Sequence, residues 1–134
     1  MTSYESYAAV AGRVLISLIF LISGIQKIAD YAGTLQEIQS AGLPFPVLAY
    51  IVAVIVEIGV ALAVLVGFRT RLAAAVMCVY TLAAALSFHA HFADPNQAVH
   101  FWKNIAIAGG FLMIVAFGAG ALSIDAWNSP ARRA

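Results

Sequence analysis

The charged residues of this chain fall in so few places that the gaps between them dictate its architecture. The stretches 14–26, 38–56, 58–68, 72–93 and 104–124 hold no Lys, Arg, Asp or Glu, and Glu57 alone separates the second from the third. An apolar stretch of about 20 residues, rising about 1.5 Å per residue as a helix, crosses roughly 30 Å of hydrocarbon. Segments joined by short links can satisfy their backbone amides in lipid only as helices, because the strands of a barrel would alternate polar and apolar positions. With 63% hydrophobic and 10% charged residues, the chain lies far from the roughly 45–50% and about 25% of soluble domains. A soluble globular enzyme is excluded. So is disorder, which needs low hydrophobicity and usually a high net charge; the net charge here is +1.

The runs predict an all-α membrane protein: a single domain forming an antiparallel four-transmembrane-helix bundle, with helices over about 7–28, 46–67, 71–91 and 101–118. Gly42, Pro44 and Pro46 make a turn-rich entry to the second helix, with Pro46 suited to a first helical position. Gly67-Phe68-Arg69-Thr70-Arg71 is a tight link, Asp94-Pro95-Asn96 reads as a break, and Gly118-Ala119-Gly120 ends the fourth span. The longest loop, 29–45, has room for a short surface helix over 33–38.

Four spans put Arg13, Arg69, Arg71, Arg132 and Arg133 on one side and Lys27 and Lys103 on the other. The positive-inside rule then places both termini in the cytoplasm, with Trp102 and Trp127 as belt residues at opposite interfaces. The first span lacks the basic start of a secretory signal and carries Arg13 where the apolar stretch should begin, so no cleaved leader is expected. The single cysteine, Cys78, excludes internal CxxC thiol exchange and reads as a small packing residue.

Polar residues inside a membrane are costly and mark candidate sites. Glu57 lies 11 residues beyond Pro46, roughly 16 Å deep and close to the midplane. There a carboxylate is either protonated or held by a donor. Tyr80 and Thr81 lie at a similar level, Arg13 can approach from one end and His89 from the other, and sequence alone does not choose the partner. A second polar group gathers at the outer helix ends: Ser23, Gln26 and Lys27, then His89 and His91, then His100, Lys103 and Asn104. On a continuous helix His100, Lys103 and Asn104 share a face. Of His89 and His91, two positions apart, one at most faces the bundle. A pocket of Lys, His and Asn above Glu57 suits a polarised carbonyl or an anionic head group, as in a quinone.

Each residue also has a plainer role. Glu57 can fix helix register through a buried pair, with Arg13 as its candidate partner. Lys27 and Lys103 can snorkel to the interface. Three histidines can bind zinc or copper, but no His pair stands at i and i+4 with a carboxylate beside it, so no metal is expected. Gly59/Ala63 and Ala106/Gly110 suit close helix packing, within the bundle or between copies.

Gly12-Arg13 opens an apolar helix that closes in Ser23-Gly24-Ile25-Gln26-Lys27, and Gly42-Leu43-Pro44 and Glu57 follow. Then come Gly67-Phe68-Arg69-Thr70-Arg71-Leu72-Ala73, His89, Phe101-Trp102-Lys103-Asn104-Ile105-Ala106 with Gly109-Gly110, and Gly118-Ala119-Gly120 before Leu122-Ser123-Ile124-Asp125. In this order and spacing, over nearly the whole chain, the blocks resemble the DoxX family of small bacterial inner-membrane proteins. Ala119 departs from the family pattern, which often has proline there. The resemblance implies an association with membrane redox chemistry, the family being named for a subunit linked to thiosulfate:quinone oxidoreduction. It makes Lys27, Glu57, His89, Lys103 and Asn104 the candidate ligand site and Arg13 a structural partner.

No glycine-rich strand-to-helix turn for flavin or nicotinamide is present, so electron transfer would need a bound quinone or a partner's cofactor. Two hypotheses follow. The chain is an accessory subunit of a membrane redox system that binds a quinone between its helices, or a structural subunit that docks a larger membrane complex and binds no ligand. Neither is a self-sufficient enzyme. A transporter is a weaker third option, since the chain has no paired halves. The partners expected are the lipid bilayer and a larger redox complex or further copies of the chain, not nucleic acid.

Overall fold

A computed structural model describes residues 2–129. Four helices long and apolar enough to cross a membrane run antiparallel: α1 (Ser3–Ala29), α3 (Pro46–Val66), α4 (Thr70–Phe88) and α5 (Pro95–Phe117). Of two short helices, α2 (Tyr31–Ser40) lies in the connection between α1 and α3, and α6 (Ile124–Trp127) follows α5. Arg132 and Arg133, counted above toward the charge bias, lie outside the described residues.

Local chemistry sets the ends. Thr2 and Glu5 form a reciprocal capping box at the start of α1, which moves that start back from the expected Tyr7. Pro46 opens α3 as anticipated, and Gly67, at φ +75°, ends it in a left-handed turn that disfavours any side chain. Two expected boundaries need correction. The third span stops at Phe88, so His89 is its cap and His91 is outside the helix. Asp94-Pro95 is a helix start: the Asp94 carboxylate caps the Asn96 amide at 2.9 Å and Pro95 occupies the first turn, so α5 begins six residues before Phe101.

The bundle is apolar outside and keeps several polar side chains buried within. Leu15, Ile25, Val79, Leu86 and Phe117 are exposed on its surface, as suits lipid, while Arg13, Ser17, Glu57, Thr70 and Thr81 are buried. The apolar core gathers Phe20, Val64, Ala74, Met77 and Phe111 in the half nearer the termini, with the Phe20 and Phe111 rings 5.6 Å apart. α1 packs along α3, and α4 packs most extensively on α5.

The candidate Arg13–Glu57 pair does not form. Arg13, 3% exposed, donates to the carbonyls of Val64 (3.4 Å), Leu65 (3.1 Å) and Leu122 (2.6 Å). It thereby satisfies the Leu65 carbonyl, which the end of α3 leaves without a helical partner, and adds a second donor to the Val64 carbonyl, which already accepts from the Gly67 amide. Val64 lies seven residues past Glu57, roughly 10 Å along the helix, so Arg13 serves the terminal end of the bundle. Asp125 completes this end. Its carboxylate accepts from the Arg69 amide (2.7 Å), the Thr70 amide (2.8 Å) and the Thr70 hydroxyl (2.6 Å). It caps α4, whose own N-cap residue offers no side-chain bond.

Candidate functional site

Glu57 is fixed by an irregularity in α3. Residues Ile55–Val60 form a π-helical turn with Glu57 inside it, and such turns often mark functional positions. Across from it, α1 comes unusually close at Gly24, where a Cβ would lie 2.7 Å from Ile58 Cγ1 and 3.2 Å from Glu57 Cβ. The glycine lets Lys27, one turn further along α1, reach the carboxylate.

The carboxylate, 4% exposed, has both oxygens engaged. Oε2 accepts from Lys27 Nζ at 3.1 Å and Oε1 accepts from the Tyr80 hydroxyl. Lys27 Nζ also donates to Ser23 Oγ at 2.7 Å, and the Tyr50 hydroxyl donates to the Lys27 carbonyl at 3.3 Å. Taken alone, Lys27 reads as an interfacial lysine. Its stem instead carries the ammonium inward to a partner in low dielectric, where the attraction is strongest.

Lys27, His89, Lys103 and Asn104, chosen from sequence at the outer ends of three helices, and Glu57, chosen for its midplane depth, all line one cavity of about 250 Å³. Tyr80 and Thr81 complete its wall on α4, and Phe20 and Ile107 are among its apolar lining. At the mouth, His89 Nδ1 lies 2.7 Å from Gln97 Oε1, and its ring centroid is 5.2 Å from that of His100. Lys103 Nζ is 3.1 Å from His100 Nδ1, in keeping with the face expected for that pair. His91 is exposed in the loop and does not line the cavity. Among the described residues no cluster of three or more His, Cys, Asp or Glu is placed to hold a metal ion.

Sequence reasoning missed the contribution of α2. Thr34, Glu37 and Ile38 line the cavity, and Thr34 and Ile38 are the buried residues of that helix. The signal was the short helical pattern over 33–38, whose buried face sequence alone did not identify. Asp30 caps α2 through the Gly33 amide at 3.0 Å, and Tyr31 packs edge-on against Tyr50 at 4.8 Å. The ring contact holds α2 against α3.

The DoxX family model matches residues 8–90 of the chain, a span that includes Lys27, Glu57, Tyr80 and His89. The chain is 41% identical over 120 residues to inner membrane protein YphA of Escherichia coli strain K12, covering 84% of each chain. It is 38% identical over 125 residues to inner membrane protein YqjF of the same strain, covering 93% of this chain and 95% of that one. No solved structure matches it.

Proposed function

This chain belongs to the DoxX family and is a multi-pass inner-membrane protein, and on that premise we propose that it binds a quinone between its helices as an accessory subunit of a membrane redox system. The observation that carries this reading is the convergence of Lys27, Glu57, His89, Lys103 and Asn104 on one cavity. At about 250 Å³ the cavity is slightly below the roughly 300–1,000 Å³ of pockets for drug-sized ligands. It suits a ring with its tail left outside.

The hydrogen-bond inventory fits a carbonyl ligand. Lys27 commits two of its three N–H groups, to Glu57 and Ser23. The Asn104 side chain makes no hydrogen bond among the described residues, and the Lys103 ammonium has only its contact with His100. The free groups on α1 and α5 are therefore mainly donors, and quinone carbonyls are acceptors. Tyr80 donates its hydroxyl to Glu57 and orients the carboxylate, a group of the cavity placed to carry a ligand's proton. When bound, a quinone would supply the two-electron, two-proton carrier. The charge bias of Arg13, Arg69 and Arg71 supports cytoplasmic termini.

Mass spectrometry of protein purified in a mild detergent tests this reading. Stoichiometric quinone in the wild type, lost in Glu57→Gln and Lys103→Ala, is the expected result. One observation favours the structural alternative: both oxygens of Glu57 are already paired within the bundle. An absence of quinone, with one larger membrane enzyme co-purifying equally with all three proteins, would select that alternative.

A further inference from the structure

The cavity and the polar groove beneath α2 share four lining residues, Ser23, Lys27, Thr34 and Glu37. The groove, about 740 Å³, is lined by polar residues and one glycine. It lies on the side of the α1–α2 and α4–α5 connections, opposite the termini. Toward the termini the cavity meets a different wall. Phe20, Val64, Ala74, Met77 and Phe111 all lie on that side of the Glu57 level and fill the bundle from its four spans. Val64, Ala74, Met77 and Phe111 are wholly buried.

We propose that Glu57 and its cavity communicate with one aqueous phase only, the phase facing the α1–α2 and α4–α5 connections, and that Lys27 is the gate between groove and cavity. The inference concerns the cavity of the functional reading and does not depend on what binds there. Lys27 is the element common to both spaces that can move: its ammonium sits on Glu57 and Ser23, while a quarter of its side chain reaches solvent. Swung outward along its flexible stem, it stays charged and hydrated in the groove and leaves Glu57 open to water from that side. In the opposite half Arg13, Ser17 and Thr70 are buried, and the pockets that Arg13 and Thr70 line share no residue with the Glu57 cavity. Any proton that Glu57 gains or loses is therefore exchanged with water of one phase.

Thiol labelling in a Cys78→Ser background tests both parts. Thr81→Cys and Asn104→Cys place a thiol in the cavity, while Asn96→Cys and Tyr4→Cys mark the two faces of the membrane. Right-side-out and inverted membrane vesicles carrying the full chain are treated with a small charged, membrane-impermeant methanethiosulfonate. The cavity cysteines are expected to react only in the vesicles in which Asn96→Cys reacts. Adding Lys27→Ala should speed Thr81→Cys labelling about tenfold or more, as befits losing a hydrogen bond to a charged group. Labelling from the Tyr4 side, equally from both sides, or from neither would overturn the one-sided route, and an unchanged rate in Lys27→Ala would overturn the gate. Asn104→Cys, on the opposite wall, keeps the test decisive if Thr81→Cys fails to fold. The assay contains no quinone. One-sided labelling of a protein that purifies without quinone would refute the functional reading and leave the route standing, and two-sided labelling of a quinone-loaded protein would do the reverse.

Discussion

Single residues in this bundle matter because each buried polar group has so few alternatives. Glu57 and Lys27 depend on each other: removing either leaves a charge in low dielectric, with the lysine partly relieved by its exposure. Losing one partner of a buried pair costs about 3–5 kcal/mol; Lys27→Met should cost less, about 2 kcal/mol, because Glu57 keeps Tyr80 and can take up a proton. The double variant Lys27→Met/Glu57→Leu should be destabilised by less than the sum of the singles, measured by thermal unfolding in detergent. Strict additivity would refute the coupling. That Glu57 must be either protonated or held by a donor was legible from its depth. That the donor is Lys27 was not, because a lysine near a helix end reads equally well as snorkelling outward, and Arg13 offered the same charge. Arg13 is committed to three carbonyls. Arg13→Ala is accordingly expected to cost about 2–3 kcal/mol, the scale of hydrogen bonds to a charged group.

At the scale of elements, the site depends on a π turn meeting a glycine. Gly24→Ala puts a Cβ 2.7 Å from Ile58 Cγ1, and overpacking of that kind costs about 1–3 kcal/mol. The strain falls on the contact that brings Lys27 to Glu57, so the same variant should label faster at Thr81→Cys; slower or unchanged labelling would show that α1 and α3 are not held by this contact. Gly24 was visible in sequence as part of a motif, but its role was not, since a π turn carries no composition signal. The spans themselves were legible because charge-free length is a direct consequence of membrane thickness. Their ends were less so. Asp94-Pro95 has the chemistry of both a break and a helix start, and only the fold decides between them. For α4, the cap comes from Asp125, 55 residues away from Thr70, which no local pattern can reveal.

Over the whole molecule, the two ends of the bundle do different work: the cavity occupies one, and a polar latch of Arg13, Thr70, Leu122 and Asp125 closes the other. Partial burial works to raise the Asp125 pKa, but hydrogen bonds from the Thr70 hydroxyl and the Thr70 and Arg69 amides, with the charge of Arg13, outweigh it and hold it below the ordinary value. A carboxylate with a depressed folded-state pKa contributes its full stability above its unfolded value of about 3.9 and loses it as pH falls through the lower, folded value. The melting temperature of the wild type should therefore fall on acidification below about pH 4, and Asp125→Ala should remove that part of the fall. Truncation after Gly118 goes further, taking the Leu122 carbonyl from Arg13 along with the cap on α4. It is expected to lower the melting temperature by about 5–10 °C, the consequence of losing one to two kcal/mol in a chain of this size. Because the core of Phe20, Met77 and Phe111 separates latch from cavity, the truncated protein should keep whatever quinone the wild type binds. Glu57→Gln, by contrast, should lose ligand, at a thermal cost no smaller than that of the truncation, because it leaves the Lys27 ammonium without its charge partner. Loss of ligand on truncation, measured in the same detergent preparation, would mean that the two ends are coupled through the core and that the bundle opens as one unit.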